Sequence, residues 1–344
     1  MKYRISIAQS DVSFECAPDQ SLLDAALAAG IDLPYSCRQG VCGNCAGSIE
    51  AGTVTALAGA NRNDTCSADQ VLYCRSAPLS DLVLKPQSWQ RIDPSARKRF
   101  KAKVYSNQLV AADVSLLRLR LPTGQRAKFQ AGQYLQLLLD DGSTRSYSMA
   151  NAPHESDGVS LHIRHLPGGL FSQRVAQLVP GDILDIELPF GSVALRDDDP
   201  RPLVFVAAGT GFAPVKAILD DMLKRGISRP LTLIWGARQA EGLYLPSAVE
   251  RWQKHWPDFR YIAALSDTAQ ECLGSAFAGR VDAALRSHCP DLHGHALYCC
   301  GAPPMVDAVR RAAAEIGLAA SDFHADVFVP GPAAGPVAAL ATAR

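Results

Sequence analysis

Polar and apolar positions alternate along KYRISI (residues 2–7) and VSFEC (residues 12–16), the period-2 signature of paired strands that bury one face. The period then lengthens. SLLDAALAAG, residues 21–30, carries apolar positions at helical spacing, with Ser21 and Asp24 placed as in a capping box and Gly30 at the C-terminal stop. DLVL, residues 81–84, predicts a last strand that closes this first unit, residues 1–86. Residues 87–98, QSWQRIDPSARK, are polar, basic and broken by a proline, and read as a linker.

Residues 99–199 are strand-rich. KVYSNQLV, VSLLRLRLP, QYLQLLL, RSYSMA and VSLHIRHL are separated by turn sequences such as DDGS and PGG, which predicts a small antiparallel barrel. Residues 200–330 change to strand–helix alternation. PLVFVAAG reads as a buried strand, and PVKAILDDMLKRG as a helix with apolar residues at 215, 218, 219, 222 and 223. LTLIWG, RYIAAL and ALYCCG follow as further parallel strands of an α/β layer. Residues 331–344 are rich in Pro, Ala and Gly and predict a disordered tail.

A chain of 344 residues divided in this way suits three domains. Lys plus Arg and Asp plus Glu each number 34, so no net field draws nucleic acid or an anionic membrane. The N-terminal stretch has no apolar core of a signal peptide, and no apolar run reaches the length of a membrane span. These features predict a cytoplasmic protein. In a reducing compartment the ten cysteines are better placed for metal than for disulfides.

The cysteines concentrate in YSCRQGVCGNC, residues 35–45. Cys37, Cys42 and Cys45 are spaced C-x4-C-x2-C, and 28 residues separate Cys45 from Cys74. That is the plant-type [2Fe–2S] spacing, in which four thiolates hold two irons. Gly40 and Gly43 allow the loop positive φ and let its N–H groups face sulfur. Structural zinc, the weaker reading, usually shows paired C-x2-C knuckles, whereas here the fourth cysteine stands alone. Cys66 competes for the fourth position, but Cys74 follows the apolar QVLY and so sits at a core edge. Cys16, Cys272 and Cys289 read as structural.

Two further constellations carry chemistry. Arg145, Ser146, Tyr147 and Ser148 offer a cation for phosphate, an aromatic face and a hydroxyl, which is what a flavin requires of one strand. Gly168, Gly169 and Ser172 open a predicted helix, FSQRVAQL, whose amides suit a pyrophosphate, and Arg164 adds a second cation. Next, GTGFAP places Gly209, Thr210 and Gly211 between a buried strand and a helix, with Pro214 in the first turn, as a phosphate-approaching loop. CCGAPPM repeats that junction, bringing Cys300 or the Gly301 backbone to a nicotinamide; Cys299 reads as core. The tip of LTLIWGAR offers Arg238 in place of an acidic diol reader, which favours NADPH, with NADH possible.

Taken in this order, the cysteine loop, RSYSMAN, GGLFS, GTGFAP and CCGAPPM resemble the ferredoxin–NAD(P)H reductase superfamily. More narrowly, the chain resembles the single-chain reductases of multicomponent oxygenases. LDAALAAGIDLPYSCRQGVCGNC, RSYSMANAPHESDG, LIWGAR and FHADVF are similar to the reductase components of terephthalate 1,2-dioxygenases. The resemblance implies a β-grasp ferredoxin domain, an antiparallel β-barrel FAD domain and an α/β NAD(P)H domain. It implies cluster ligation by Cys37, Cys42, Cys45 and Cys74. It also implies FAD binding by Arg145, Tyr147 and Ser148 with Arg164, Gly169 and Ser172, and a nicotinamide site at Gly209, Thr210, Gly211 and Cys300. The superfamily often ends in Glu-x-Phe beside the flavin; here Asp326-Val327-Phe328 supplies a shorter carboxylate before the covering Phe328.

The implied activity is transfer of electrons from NAD(P)H through FAD and the cluster to a terminal Rieske-type oxygenase, with Ser148, Cys300 and Phe328 nearest the chemistry. Two alternatives remain. The same architecture could serve another oxygenase or a CDP-4-keto-6-deoxyglucose-type dehydrase, or the chain could be a non-enzymatic iron–sulfur carrier or redox sensor.

Overall fold

The computed structural model describes residues 2–57, 69–92, 97–196, 198–267 and 275–329. Cys66, Cys272, the tail at 331–344 and residues 93–96 of the expected linker lie outside the described residues.

In the N-terminal unit, β1 (Tyr3–Ile7) and β2 (Ser13–Cys16) form the expected antiparallel pair, and α1 (Leu22–Ala28) follows. Ser21 caps that helix by accepting the Asp24 N–H. β3 (Ile31–Asp32), β4 (Ala46–Ala51), β5 (Val54–Ala56), β6 (Gln70–Leu72), β7 (Ser76–Pro78), β8 (Leu82–Pro86) and β9 (Gln90–Arg91) complete it. The main sheet has the order β2-β1-β8-β4-β6, and β5 pairs with β7. DLVL therefore becomes a central strand rather than a margin: β8 runs parallel to β1 and antiparallel to β4. Its alternate residues Leu82 and Leu84 are buried in the same core as Leu22 and Leu23 of α1. The segment expected as a linker is partly pinned, because Gln90 and Arg91 pair with β3 while Trp89 and Ile92 pack on this core.

The second unit is a six-stranded antiparallel sheet, β13-β12-β15-β10-β11-β14. It is made by β10 (Lys98–Ala111), β11 (Val114–Arg120), β12 (Tyr134–Leu138), β13 (Thr144–Ser148), β14 (Gly158–Arg164) and β15 (Ile183–Phe190). β10 pairs with β15 through its first half and β11 through its second, and two register shifts let it bend between them. A bridge from Met149 to Leu161 joins the two edges, closing the sheet around Leu117, Leu135, Leu161, Phe171 and Ile186. β15 alternates buried and open positions yet was not expected from the pattern; it supplies the strand that joins β12 to β10. α2 (Leu170–Arg174) occupies the segment predicted as a longer helix.

The third unit is a parallel sheet, β19-β18-β17-β16-β20-β21, built from β16 (Leu203–Ala208), β17 (Leu231–Ala237), β18 (Phe259–Leu265), β19 (Phe277–Ala278), β20 (Ala296–Gly301) and β21 (Phe323–Val327). Alternate residues of β16 face opposite layers. Phe205 and Ala207 meet α3 (Phe212–Arg225) and α4 (Pro246–His255), while Val204 and Val206 meet α5 (Val281–His288) and α6 (Pro303–Glu315). The helix expected at 214–226 begins two residues earlier and ends on Gly226 in the left-handed conformation. The fold is thus an α+β N-terminal unit, an antiparallel barrel and a C-terminal α/β unit on a parallel sheet. No helix among the described residues is long and apolar enough to cross a membrane.

Candidate redox site at the junction of three units

The cysteine loop leaves β3 and returns through β4. Arg38, Gly40 and Gly43 hold positive φ, so the chain coils tightly enough to turn its N–H groups inward. At Gly40 a β-carbon would also stand 2.7 Å from Arg75 Cγ, so glycine meets both the dihedral and the close approach. The Cys37 sulfur accepts the N–H groups of Gln39 and Cys42, each at 3.4 Å. Cys45 and Cys74 sulfurs lie 3.1 Å apart, and Cys74 is presented by a single turn, Tyr73–Arg75, fastened by the Tyr73 hydroxyl on the Ser48 carbonyl.

Among the described residues no three His, Cys, Asp or Glu side chains gather as a single metal ion needs. The thiols stand as two pairs, Cys37 with Cys42 and Cys45 with Cys74. Two irons with two thiolates each call for that division. Within each pair the partner thiol and loop amides draw one pKa down, at Cys37 and Cys74, while the same pairing and burial push the other up, at Cys42 and Cys45. Paired thiols with amides aimed at sulfur fit a thiolate-held cluster.

β13 places Arg145 and Tyr147 on one face, both half-buried, with Ser146 exposed on the other. The Tyr147 ring stacks at a tilt on Phe171 of α2, 5.7 Å between centroids, and burial lifts its phenol to about 12. Arg145 donates to the Thr144 carbonyl, and Arg164 is ion-paired with Asp113 at 2.8 Å. Gly168 and Gly169 precede α2, and the Ser172 hydroxyl accepts the Leu166 N–H, so that serine holds the loop. An aromatic face and two flanking cations fit a flavin and its phosphates.

Ala208, Gly209 and Thr210 are partly open at the end of β16. Gly209 faces the Arg164 guanidinium, which brings the barrel's cation to the nucleotide loop. At Gly211 a β-carbon would lie 2.1 Å from the Cys300 carbonyl oxygen, so this glycine serves the packing of two strand ends. Cys300 itself has no exposed surface and packs in the core beside Phe205 and Tyr298, and burial drives its thiol pKa well up. Phe328, half-buried, donates its N–H to the Gly301 carbonyl at 2.8 Å. Arg238 is exposed just beyond β17, at the C-terminal edge of the sheet where α/β folds bind nucleotides.

One carboxylate draws these parts together. Asp326 on β21 is buried and accepts the Ser36 hydroxyl at 2.6 Å and the Ser148 hydroxyl at 2.7 Å. Ser36 adjoins Cys37 and Ser148 ends the flavin strand, so the three motifs meet at one residue. The Asn44 amide donates to the Ala325 carbonyl at 2.7 Å, Arg310 to the Cys42 carbonyl at 2.7 Å, and the Tyr134 hydroxyl to the Ser36 carbonyl at 3.2 Å. Sequence reasoning singled out Asp326 for its position before Phe328 but missed Ser36, Asn44, Tyr134 and Arg310. Their only linear signal is adjacency to a motif.

Comparison with known proteins agrees with this division. Residues 5–79 match the 2Fe-2S iron–sulfur cluster binding domain, 101–195 the oxidoreductase FAD-binding domain and 205–311 the oxidoreductase NAD-binding domain. The chain is 61% identical over 333 residues to terephthalate 1,2-dioxygenase reductase component 2 of Comamonas sp, covering 96% of this chain and 99% of that one. It belongs to this family of oxygenase reductase components. As a reductase of this family it is an NAD(P)H-dependent oxidoreductase with [2Fe–2S], FAD and NAD(P)H modules. A more distant relative, at 32% identity over 96% of this chain and 99% of its own, is the CDP-6-deoxy-L-threo-D-glycero-4-hexulose-3-dehydrase reductase of Yersinia pseudotuberculosis serotype I (strain IP32953). Among solved structures, the Amycolatopsis cytochrome P450 reductase GcoB superposes with a TM-score of 0.76 at 30% identity, covering 95% of this reductase and 99% of that chain.

Proposed function

We propose that this reductase draws electrons from NADPH and delivers them singly to a separate terminal Rieske-type oxygenase that acts on terephthalate, in the cytoplasm. When bound, the nicotinamide supplies an electron pair, FAD converts it to single electrons, and the cluster relays them. The protein's part is placement. Cys37, Cys42, Cys45 and Cys74 hold the cluster, with amide N–H groups stabilising the charge on sulfur. Arg145 and Arg164 would take the FAD phosphates, Tyr147 and Phe328 would cover its ring, and Ser148, held by Asp326, would supply a hydroxyl beside it. Gly209, Thr210 and Gly211 would seat the nicotinamide nucleotide, and Arg238 would read its 2′-phosphate.

The observation that carries this reading is the Ser36–Asp326–Ser148 bridge, which sets the cysteine loop against the flavin strand. Cores shared across units support a short, fixed path: Cys42 packs with the nucleotide unit, and Tyr134 and Phe190 pack with the ferredoxin unit. The bridge argues against a free-standing iron–sulfur carrier, and the 61% relative favours terephthalate over the dehydrase pathway.

Reconstitution with a terephthalate oxygenase tests the proposal: NADPH consumption should match product formed. Cys74→Ala should abolish delivery to the oxygenase while NADPH–ferricyanide turnover persists. Loss of both activities in a folded variant retaining FAD would defeat the assigned order of carriers.

A further inference from the structure

α6 belongs to the nucleotide unit, yet Arg310 on it reaches the cysteine loop. Its Nη2 donates to the Cys42 carbonyl oxygen at 2.7 Å, and its guanidinium carbon lies 4.3 Å from the centroid of the Phe323 ring on β21. Nε is buried with no hydrogen-bond partner. Among the described residues it forms no ion pair; the groups facing it are the Cys42 and Cys299 thiols and, one turn back, Asp307. Cys42 is itself buried in the core between β16, α5 and α6, with Cys37 and Val41 packed against it. A half-buried guanidinium held by a carbonyl and a ring, with Asp307 close enough to act on it but not ion-paired to it, is an incompletely compensated positive charge in a region of weak screening.

Reduction adds a negative charge to an iron–sulfur centre, and nearby charge, hydrogen bonding and burial set how readily that happens. We propose that Arg310 is a positioning residue that raises the reduction potential of the centre held by Cys42, so that the cluster accepts electrons from the flavin. The inference rests on the cluster being held by Cys37, Cys42, Cys45 and Cys74. Through the same contact, the helix that follows the CCGAPPM nucleotide loop is fastened to the electron-exit centre.

The test is an EPR-monitored redox titration of the holoenzyme and of Arg310→Gln and Arg310→Lys. Arg310→Gln should cut the equilibrium occupancy of the reduced cluster, relative to reduced flavin, roughly tenfold, ~59 mV for one electron. Arg310→Lys, which keeps the charge, should stay near wild type. Both should keep NADPH–ferricyanide turnover, and only Arg310→Gln should slow cytochrome c reduction through the cluster. Should Arg310→Gln assemble poorly, Arg310→Met, which keeps the stem on Phe323, takes its place with the same expected shift. An unshifted midpoint in a charge-removing variant with full iron content overturns the inference, as does an equal shift in Arg310→Lys. Wild-type protein lacking iron and acid-labile sulfide after anaerobic reconstitution would instead defeat the cluster assignment on which it rests.

Discussion

Asp326 is buried, and burial raises its pKa while the Ser36 and Ser148 hydroxyls oppose that rise. Both oxygens are used, so truncation strands two buried hydroxyls. Asp326→Ala should cost about 1–3 kcal/mol per unpaired group, read from urea midpoints, and should slow both ferricyanide and cytochrome c reduction. At Gly211 the obstacle is backbone, because a methyl there would collide with the Cys300 carbonyl. Gly211→Ala should destabilise by ~1–3 kcal/mol and weaken nucleotide binding, measured by titration of the bleached flavin. Cysteine spacing and the R-x-Y-S run were legible because one short segment carries each whole requirement. Ser36 and Arg310 were not, because a serine beside a cysteine and an arginine on a helix acquire meaning only from a partner 290 and 268 residues away.

Among the elements, β14 shows how a pattern can reveal a strand and hide its role. VSLHIRHL reads as alternating, yet His162 is buried, hydrogen-bonded to the Tyr244 hydroxyl at 2.9 Å and 6.3 Å from the Phe212 ring. Burial, aided by the Lys216 charge, lowers its pKa to about 3. The unfolded chain protonates near the ordinary value of about 6.5, so falling pH favours unfolding between those limits. The stabilisation is full above about 6.5 and lost toward about 3. The stability difference between wild type and His162→Gln should change by up to about 1.4 kcal/mol per pH unit across this window, followed by denaturant titration at several pH values. β15 and β9 escaped notice for another reason: strand pairing is non-local, and segments of modest β-propensity form strands when neighbours offer open edges.

Across the whole molecule the three units do not meet as loosely joined beads. Units linked in one chain move independently unless their contact is large and apolar. Here Tyr134, stacked on Phe190 with centroids 5.6 Å apart, belongs to the barrel by sequence and to the ferredoxin core by packing. Ser192 and Tyr35 exchange hydrogen bonds beside it, at 2.7 Å and 2.8 Å. Calorimetry of the holoenzyme should therefore show coupled unfolding of the ferredoxin and barrel units. Tyr134→Ala, which removes ring and hydroxyl together, should separate the transitions and lower the first, with truncation of a buried aromatic costing ~3–5 kcal/mol.

The linear chain by itself determined the three units, their order and their cofactor classes. Each of those depends on short-range regularities: strand and helix periods, a thiol spacing, glycines at strand–helix junctions. The tertiary structure alone decided how the units touch. The Ser36–Asp326–Ser148 bridge, the turning inward of Cys300 and the reach of Arg310 to Cys42 each depend on atoms brought together from distant segments. Packing selects such contacts and no local pattern encodes them.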